Sequence, residues 1–350
     1  MPSTGELVLI ALVSISLLCC RDNESPDENN EEQIVFDSPD WYVYTISADG
    51  THQTKLIDSM AREPSYSSDG RSIAFLLYAP PRVGAGLEVW LTVLDRQTHT
   101  TKRVALVKGE NETGLVSYSW SRDSRRIAFN RTQGGVLHSD ICFVDLETRE
   151  VTQVTHGGFN FGPLWSPVGN RIFFQRGLDS VAYMWSVNCD GTDCSPVPYV
   201  MPYFVQTGDW SRDGSQFVFC SYDSTQRASG LPGDLFRYLP ASSSTYKLTS
   251  DGYSITPRFN LQATRLVYSS GRFGGLDLFM MNADGTGDTR LTTHGKLYVG
   301  SYKWSPDGKR VVYIKGDYSQ VGATIHVVSV DGSGDHDLGV AAYLRCDWAP

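Results

Sequence analysis

Three histidines and a set of basic side chains interleaved with aromatics are the residues here whose types and spacing could do chemistry. His156 (VTHGG) and His294 (TTHGK) stand in matching strings, and His138 lies in another connection. Neutral imidazoles ligate first-row divalent cations, so these three, with Gln206, form one candidate metal set. Four further histidines, His52, His99, His326 and His336, are scattered. The expectation is no metal and no other cofactor, with His138, His156 and His294 as the alternative. Arg82, Arg131, Arg176, Arg227, Arg272 and Lys315 each follow or close a short apolar run, and Tyr203, Tyr222, Phe273 and Tyr318 fall in the same or adjoining segments. Guanidinium groups pair with carboxylates and stack on rings. Together these residues could receive an acidic peptide or an anionic glycan. The plainer alternative is that a cation at the end of a strand only caps that strand. No convergent acid, base and nucleophile set is evident, which favours binding over catalysis.

The elements that must position these residues come from a repeat. An aromatic residue, a tight turn and a short apolar strand recur as YSSDGRSIAF, WSRDSRRIAF, WSPVGNRIFF, WSRDGSQFVF, FNLQATRLVY and WSPDGKRVVY. A last fragment begins at Trp348. The aromatics are 54, 45, 45, 49, 45 and 44 residues apart. A period in that range marks a propeller or an array. In the copy at Trp304, SYKWS reads as strand A, Pro306-Asp307-Gly308 as a turn, and KRVVYIK as strand B. TIHVVSV reads as strand C, Asp331-Gly332 as a second turn, and His336 to Leu338 as strand D. Four antiparallel strands make one blade. The Asp- and Gly-rich C–D strings lack the alternating ligand spacing of a calcium loop and read as turns. The chain from Gln33 begins with strands B, C and D and ends on a lone strand A, LRCDW. The expected fold is therefore all-β: a seven-bladed β-propeller of four-stranded antiparallel blades, its closing blade shared between the N- and C-terminal strands. In that arrangement the B–C loops and D–A connections surround the mouth of the central channel, where the cations and aromatics above are expected to lie.

The repeat closely resembles the TolB-type propeller repeat. Trp304 to Gly308, Leu278 to Gly285, Leu291-Thr292, Leu248-Thr249 and Asp69-Gly70 carry the resemblance. It covers about 90% of the chain and is specific for fold far more than for function. It implies an exported protein that binds a protein or glycan partner, as the periplasmic, protein-binding TolB does. TolB itself has six blades and an extra domain not found here. The repeat is also similar to the gating propeller of prolyl oligopeptidase-like enzymes, but this chain contains no G-x-S-x-G. A third likeness is to the seven-bladed oligogalacturonate lyases with a histidine-bound manganese. It implies the alternative function, a metal-dependent polysaccharide lyase.

Composition bounds the rest. The net charge is −9, of which −5 falls in Arg21 to Glu32. The remainder is near neutral and carries no basic stripe for nucleic acid. Leu7 to Cys20 (LVLIALVSISLLCC) has signal-peptide length and is short for a membrane span. It ends in Leu17-Leu18-Cys19-Cys20, which resembles a lipobox with Cys20 as the lipidated residue. The residue before that Cys is usually Gly, Ala or Ser, and the segment preceding the run holds Glu6 and no Lys or Arg. The domain expectation is a lipoprotein-like signal peptide over 1–20, an acidic disordered tether over 21–32 and the propeller over 33–350. The expected protein is a lipid-anchored monomer of the periplasm or cell surface. Its expected partner is an envelope protein or a surface or cell-wall glycan. Cys189 and Cys194 flank Asp-Gly-Thr-Asp, and a four-residue hairpin loop would set them opposite each other in reach of a disulfide. Cys142, Cys220 and Cys346 read as small buried hydrophobes.

Overall fold

The computed structural model describes residues 32–79, 88–109, 116–132, 138–178, 181–197, 206–221, 233–293, 298–316, 322–343 and 345–350. In the copy of the phrase at Trp304, the Ser305 hydroxyl donates to Asp307 at 2.6 Å. The same carboxylate oxygen accepts the Lys309 N–H at 3.0 Å. Gly308 closes the turn onto the Ser305 carbonyl at 2.9 Å with φ 67°, a left-handed conformation that glycine adopts without a Cβ penalty. Ser67–Asp69, Ser121–Asp123 and Ser211–Asp213 repeat the bond at 2.6, 2.6 and 2.7 Å. Two copies depart from the phrase and find substitutes. Ser166 donates to the Val168 carbonyl at 2.7 Å, and the Asn260 side-chain oxygen accepts the N–H groups of Thr264 and Arg265.

The hairpins extend into antiparallel sheets. The first three strands are β1 (Gln33–Asp37), β2 (Val43–Ser47) and β3 (Thr54–Lys55). Then come β4 (Ala61–Tyr66), β5 (Ser72–Ala79), β6 (Glu88–Asp95) and β7 (Thr100–Lys108). The third group is β8 (Tyr118–Trp120), β9 (Arg126–Thr132), β10 (Ser139–Asp145) and β11 (Val151–Gln153). The fourth is β12 (Phe159–Trp165), β13 (Arg171–Leu178), β14 (Val181–Asn188) and β15 (Ser195–Pro196). Next are β16 (Gln206–Trp210), β17 (Phe217–Ser221), β18 (Asp234–Leu239) and β19 (Ser244–Lys247). The sixth is β20 (Ser254–Phe259), β21 (Arg265–Ser270), β22 (Asp277–Asn282) and β23 (Thr289–Arg290). Last are β24 (Tyr298–Trp304), β25 (Arg310–Gly316), β26 (Thr324–Ser329), β27 (His336–Ala341) and β28 (Cys346–Trp348).

Among the described residues, five sheets have four strands, and β8–β15 form one of eight. That larger sheet is two four-stranded groups joined at a single parallel contact, Ser139 to Phe159. The C-terminal β28 pairs with β1, with Ile34 opposite Trp348 and Phe36 opposite Cys346. The sheet β28-β1-β2-β3 therefore takes one strand from one end of the described chain and three from the other.

The core lies between neighbouring sheets and follows the period-2 alternation of strands. Ile34 and Phe36 point to one side and pack with Val312, Ile314, Ile325 and Trp348. Val35 points to the other side and packs with Tyr66, Ile73 and Phe75. Full burial of one such side chain contributes about 1.5–3 kcal/mol.

The first strand is bulged in five groups, those that begin at β4, β12, β16, β20 and β24. Three of these register shifts lie between Arg62 and Ser65, Phe161 and Leu164, and Ile255 and Arg258. The residue three before the repeat aromatic takes positive φ in these three strands: Glu63 at 55°, Gly162 at 60° and Thr256 at 56°. A non-glycine residue is uncommon there. The bulge leaves a carbonyl unpaired within its own ladder, and the next group uses it. The Tyr118 hydroxyl donates to the Glu63 carbonyl, and the Tyr302 hydroxyl donates to the Thr256 carbonyl.

Candidate functional site

In each group that is continuous in sequence, the turn between first and second strands sits at one end of the sheet. The connection between second and third strands sits at the other, beside the start of the first strand. At that second end a buried carboxylate recurs. Asp234 and Asp277 open β18 and β22, Asp140 is the second residue of β10, and all three are at most 5% exposed. Each accepts a threonine hydroxyl: Thr155 at 2.9 Å, Thr249 at 3.2 Å and Thr292 at 3.1 Å. The threonine oxygen in turn accepts the N–H of Ile141, Leu235 or Leu278. The residue two before the threonine completes the set. Gln153 donates to Asp140 at 3.1 Å, Lys247 pairs with Asp234 at 2.9 Å, and Arg290 pairs with Asp277. These charges are consumed in joining the third strand to the fourth.

The basic residues expected to face a ligand divide in the same way. Arg176 donates to the Asn160 side-chain oxygen at 2.8 Å and lies over the Trp185 ring at 4.2 Å. Arg272 bridges Asp251 at 3.2 Å and Asp288 at 2.8 Å and covers the Phe279 ring at 3.9 Å. Arg131 donates to the Leu106 carbonyl at 3.3 Å. Arg176 and Arg272 are held by contacts within their own groups, and Arg131 by a carbonyl of β7 in the neighbouring sheet. Lys315 lies in β25, opposite Thr324. Phe273 is 60% exposed, with the Arg290 guanidinium 4.6 Å from its ring centre. Arg82, Tyr203, Tyr222, Arg227, Tyr318, His294 and Cys20 lie outside the described residues.

His156 contacts the Gln153 side-chain nitrogen at 3.3 Å. Among the described residues, no three His, Cys, Asp or Glu side chains converge as a metal site. Cys189 and Cys194 carry no bond to each other in this structure, and a disulfide between them stays a proposal. The turn is one step tighter than the flanking-pair reading assumed. The Asn188 N–H bonds the Thr192 carbonyl, and Gly191 closes back on Asn188. With Ser186 opposite Ser195, continuing the register sets Cys194 across from Val187. Cys189 packs beside the Ile141–Ile172 core, whereas Cys194 is exposed with its Sγ 3.8 Å from Arg176.

The reading from sequence missed one constellation at the same end. Arg62, in β4, is 3% exposed and lies between two rings, 3.9 Å from the centre of Trp41 and 3.7 Å from that of Tyr343. Its Nε and Nη1 are sealed from solvent without a hydrogen-bond partner. The Asp37 carboxylate accepts the N–H groups of Glu63 (3.1 Å) and Arg345 (2.9 Å). Glu63 pairs with the Arg345 guanidinium at 3.3 Å. Burial pushes the Glu63 carboxyl above its ordinary range against the pull of Arg345. Burial also pushes the neighbouring Tyr78 hydroxyl up to about 12. The three members of the sandwich come from segments far apart in the chain, so no local motif announced it.

Successive antiparallel four-stranded groups packed face to face define a β-propeller class of protein. A family model described as the TolB beta propeller domain matches residues 28–231. The chain belongs to that family. It is 25% identical over 255 residues to the Tol-Pal system protein TolB of Francisella tularensis subsp. mediasiatica, covering 71% of this chain and 55% of that one. It thus spans about half the length of this curated relative. Among solved structures, TolB from Acinetobacter baumannii superposes with a TM-score of 0.56 at 16% identity, over 92% of this chain and 67% of that one. An oligogalacturonate lyase in complex with manganese superposes with a TM-score of 0.65 at 17% identity, over 86% of each chain. These structural likenesses bear on the fold alone.

Proposed function

We propose that this chain is a non-catalytic binding propeller of the bacterial cell envelope that recognises a protein partner at the mouth of its central channel. Phe273 carries the reading. It is an aromatic side chain 60% exposed, beside the Arg290 guanidinium, at the end of the sheet that bears the connections between second and third strands. Exposed aromatics beside arginine are the composition of interface hot spots, and connections on a rigid scaffold are where binding residues concentrate. Membership of the TolB propeller family supports a protein partner over a small substrate.

The reading includes seven blades, with β28 completing the first. Apolar clusters between consecutive groups, and between the last group and β1–β2, support that count. It also includes export through residues 1–20, lipidation at Cys20, an acidic tether over 21–32 and a propeller over 33–350. The protein would then be tethered by lipid in the periplasm or at the cell surface. The test is recovery of a partner from envelope extract by wild type and by Phe273→Asp. The expected result is a partner retained by wild type and lost by the variant; equal recovery counts against the reading. A surface or cell-wall glycan is the alternative ligand for the same mouth.

The runner-up is a metal-dependent oligogalacturonate-type lyase using His138, His156 and His294, which rests on the shared fold with such a lyase. β-Elimination creates an unsaturated uronate absorbing near 235 nm. A flat trace with manganese and pectic oligomers removes that reading for this substrate class.

A further inference from the structure

We propose that Arg62 is a gated carboxylate-binding site, covered by Trp41, that receives an acidic group of the partner protein. This deepens the binding reading above and rests on it.

The guanidinium is 3% exposed, and both its faces are occupied by the rings of Trp41 and Tyr343 at 3.9 and 3.7 Å. Only its edge remains, and there Nε and Nη1 have no acceptor. The nearby carboxylates are engaged elsewhere, Asp37 on two backbone N–H groups and Glu63 on Arg345. A buried charged donor left without an acceptor costs stability. The two rings stabilise the guanidinium from its faces but give Nε and Nη1 no acceptor. The repeat does not require an arginine here: the residue four before the aromatic is Phe161 in β12 and Ile255 in β20. An acceptor for a stacked guanidinium must lie in its plane; Nε–H and Nη1–H point from different edges, so a carboxylate forks to one of them together with Nη2–H.

The cover is Trp41. Its backbone is fixed at φ 68° by its N–H on the Ser38 carbonyl (3.0 Å) and by the Ala61 N–H on its own carbonyl (2.8 Å). A bulky residue with positive φ is an outlier of the kind that gathers at ligand clamps. Its side chain is 38% exposed, so the ring can turn outward into solvent while the backbone stays. Trp41 and Arg62 lie at the same end of the sheets as Phe273.

The test is fluorescence anisotropy of the full chain with three labelled probes. Hexaglutamate amide presents side-chain carboxylates, a neutral Gly-Ser hexapeptide acid presents a chain-terminal one, and hexagalacturonate presents a glycan one. Arg62→Lys keeps the charge and loses the planar fork, and Lys309→Gln controls for net charge at the far end. The expected result is at least a tenfold loss of affinity in Arg62→Lys for one of the two peptides, with Lys309→Gln equal to wild type. The peptide affected names the source of the carboxylate. Equal affinities in wild type and Arg62→Lys overturn the proposal, as does a loss confined to hexagalacturonate or no peptide binding by wild type. Should Arg62→Lys fail to fold, the Arg62 Nε–Hε resonance of wild type must shift with glutarate but not with sodium chloride at equal ionic strength; an unmoved resonance overturns the proposal. A partner lost by Phe273→Asp but kept by Arg62→Lys sinks only this inference. Recovery of no partner by wild type removes the binding reading beneath it.

Discussion

Asp347 accepts a hydrogen bond from the backbone N–H of Tyr66 at 2.9 Å across 281 residues of sequence. The residue before a repeat aromatic thus reaches the aromatic of the following group. Asp209 does the same to Phe259 at 2.8 Å, and Ser119 to Trp165 at 3.0 Å. The tie is a property of the repeat, and at Asp347 it joins the end of the chain to β4. Asp347 also pairs with Lys303 at 3.5 Å. Asp347→Ala should lower stability by about 2 kcal/mol, the cost of an unsatisfied donor and a lost charged acceptor, read by urea denaturation. Removing residues 346–350 takes away β28 as well and should abolish the cooperative transition. A truncated chain that melts like the full one contradicts the closing role of β28.

The tyrosine latches are a second, separable contribution. Tyr118 and Tyr302 each donate to a bulge carbonyl of the preceding group, and Ser269 donates its N–H to the Tyr302 oxygen at 3.0 Å. Tyr118→Phe and Tyr302→Phe should each cost about 1 kcal/mol. They lie in different groups and share no partner, so the double variant should show the sum. A sum that fails by more than about 0.5 kcal/mol would mean the groups communicate beyond nearest neighbours.

Buried acid–base pairs should be less forgiving. Asp277 is fully buried, and Arg290 is its charged partner. Arg290→Met removes the charged partner of Asp277 and should cost about 3 kcal/mol. Asp277→Asn in the same chain should recover part of that loss, because the uncompensated charge disappears. No recovery would assign the loss to the packing of Arg290 against Phe273 instead.

Acid should attack the turns first. Hydrogen bonds from Ser211 and Ser215 hold the Asp213 carboxyl down at about 2. Asp69, Asp123 and Asp307 are also lowered: serine and backbone hydrogen bonds and neighbouring arginine and lysine outweigh a burial effect that by itself would raise them. A depressed carboxyl contributes stability that is present above its unfolded value near 4 and is lost as pH falls through its folded value. The melting temperature should therefore fall between pH 4 and pH 2, and Asp213→Asn should flatten that slope. Burial raises Asp209, so its contribution has the opposite sign and favours the fold as it takes up a proton. An Asp213→Asn chain with an unchanged acid slope contradicts the assignment.

The two thiols of the hairpin give a chemical check. Cys194 is exposed, whereas Cys189 is half-buried and its thiol is pushed up to about 11 by burial. Iodoacetamide should label Cys194 well before Cys189 in the folded protein. Resistance of both, relieved by reductant, would mean a disulfide forms after all.

Much of the fold was legible because the turn chemistry is local. Ser305, Asp307 and Gly308 specify their hairpin within four residues, and the Ser–Asp bond is present in four of the six copies. The pairing of β28 with β1 was legible from which strands the two ends lacked. The bulges were not, since nothing about Glu63 or Thr256 as residue types marks a positive φ. The site was read less well. Arg272 follows β21, whereas Arg176 lies within β13, and their partners Asn160, Asp251 and Asp288 lie in other strands or turns, meetings that sequence spacing does not report. The Trp41–Arg62–Tyr343 sandwich is the extreme case, assembled from three segments with no shared motif.

Site-specific photo-crosslinking in the intact envelope tests the central claim most directly. A benzophenone amino acid is placed at Phe273, at the proposed mouth. Another is placed at Val168, which is 51% exposed in the turn between β12 and β13 at the opposite end of the sheets. Position 273 should capture a discrete protein, and position 168 should not. Equal capture at both positions, or none at 273, would contradict recognition at the mouth.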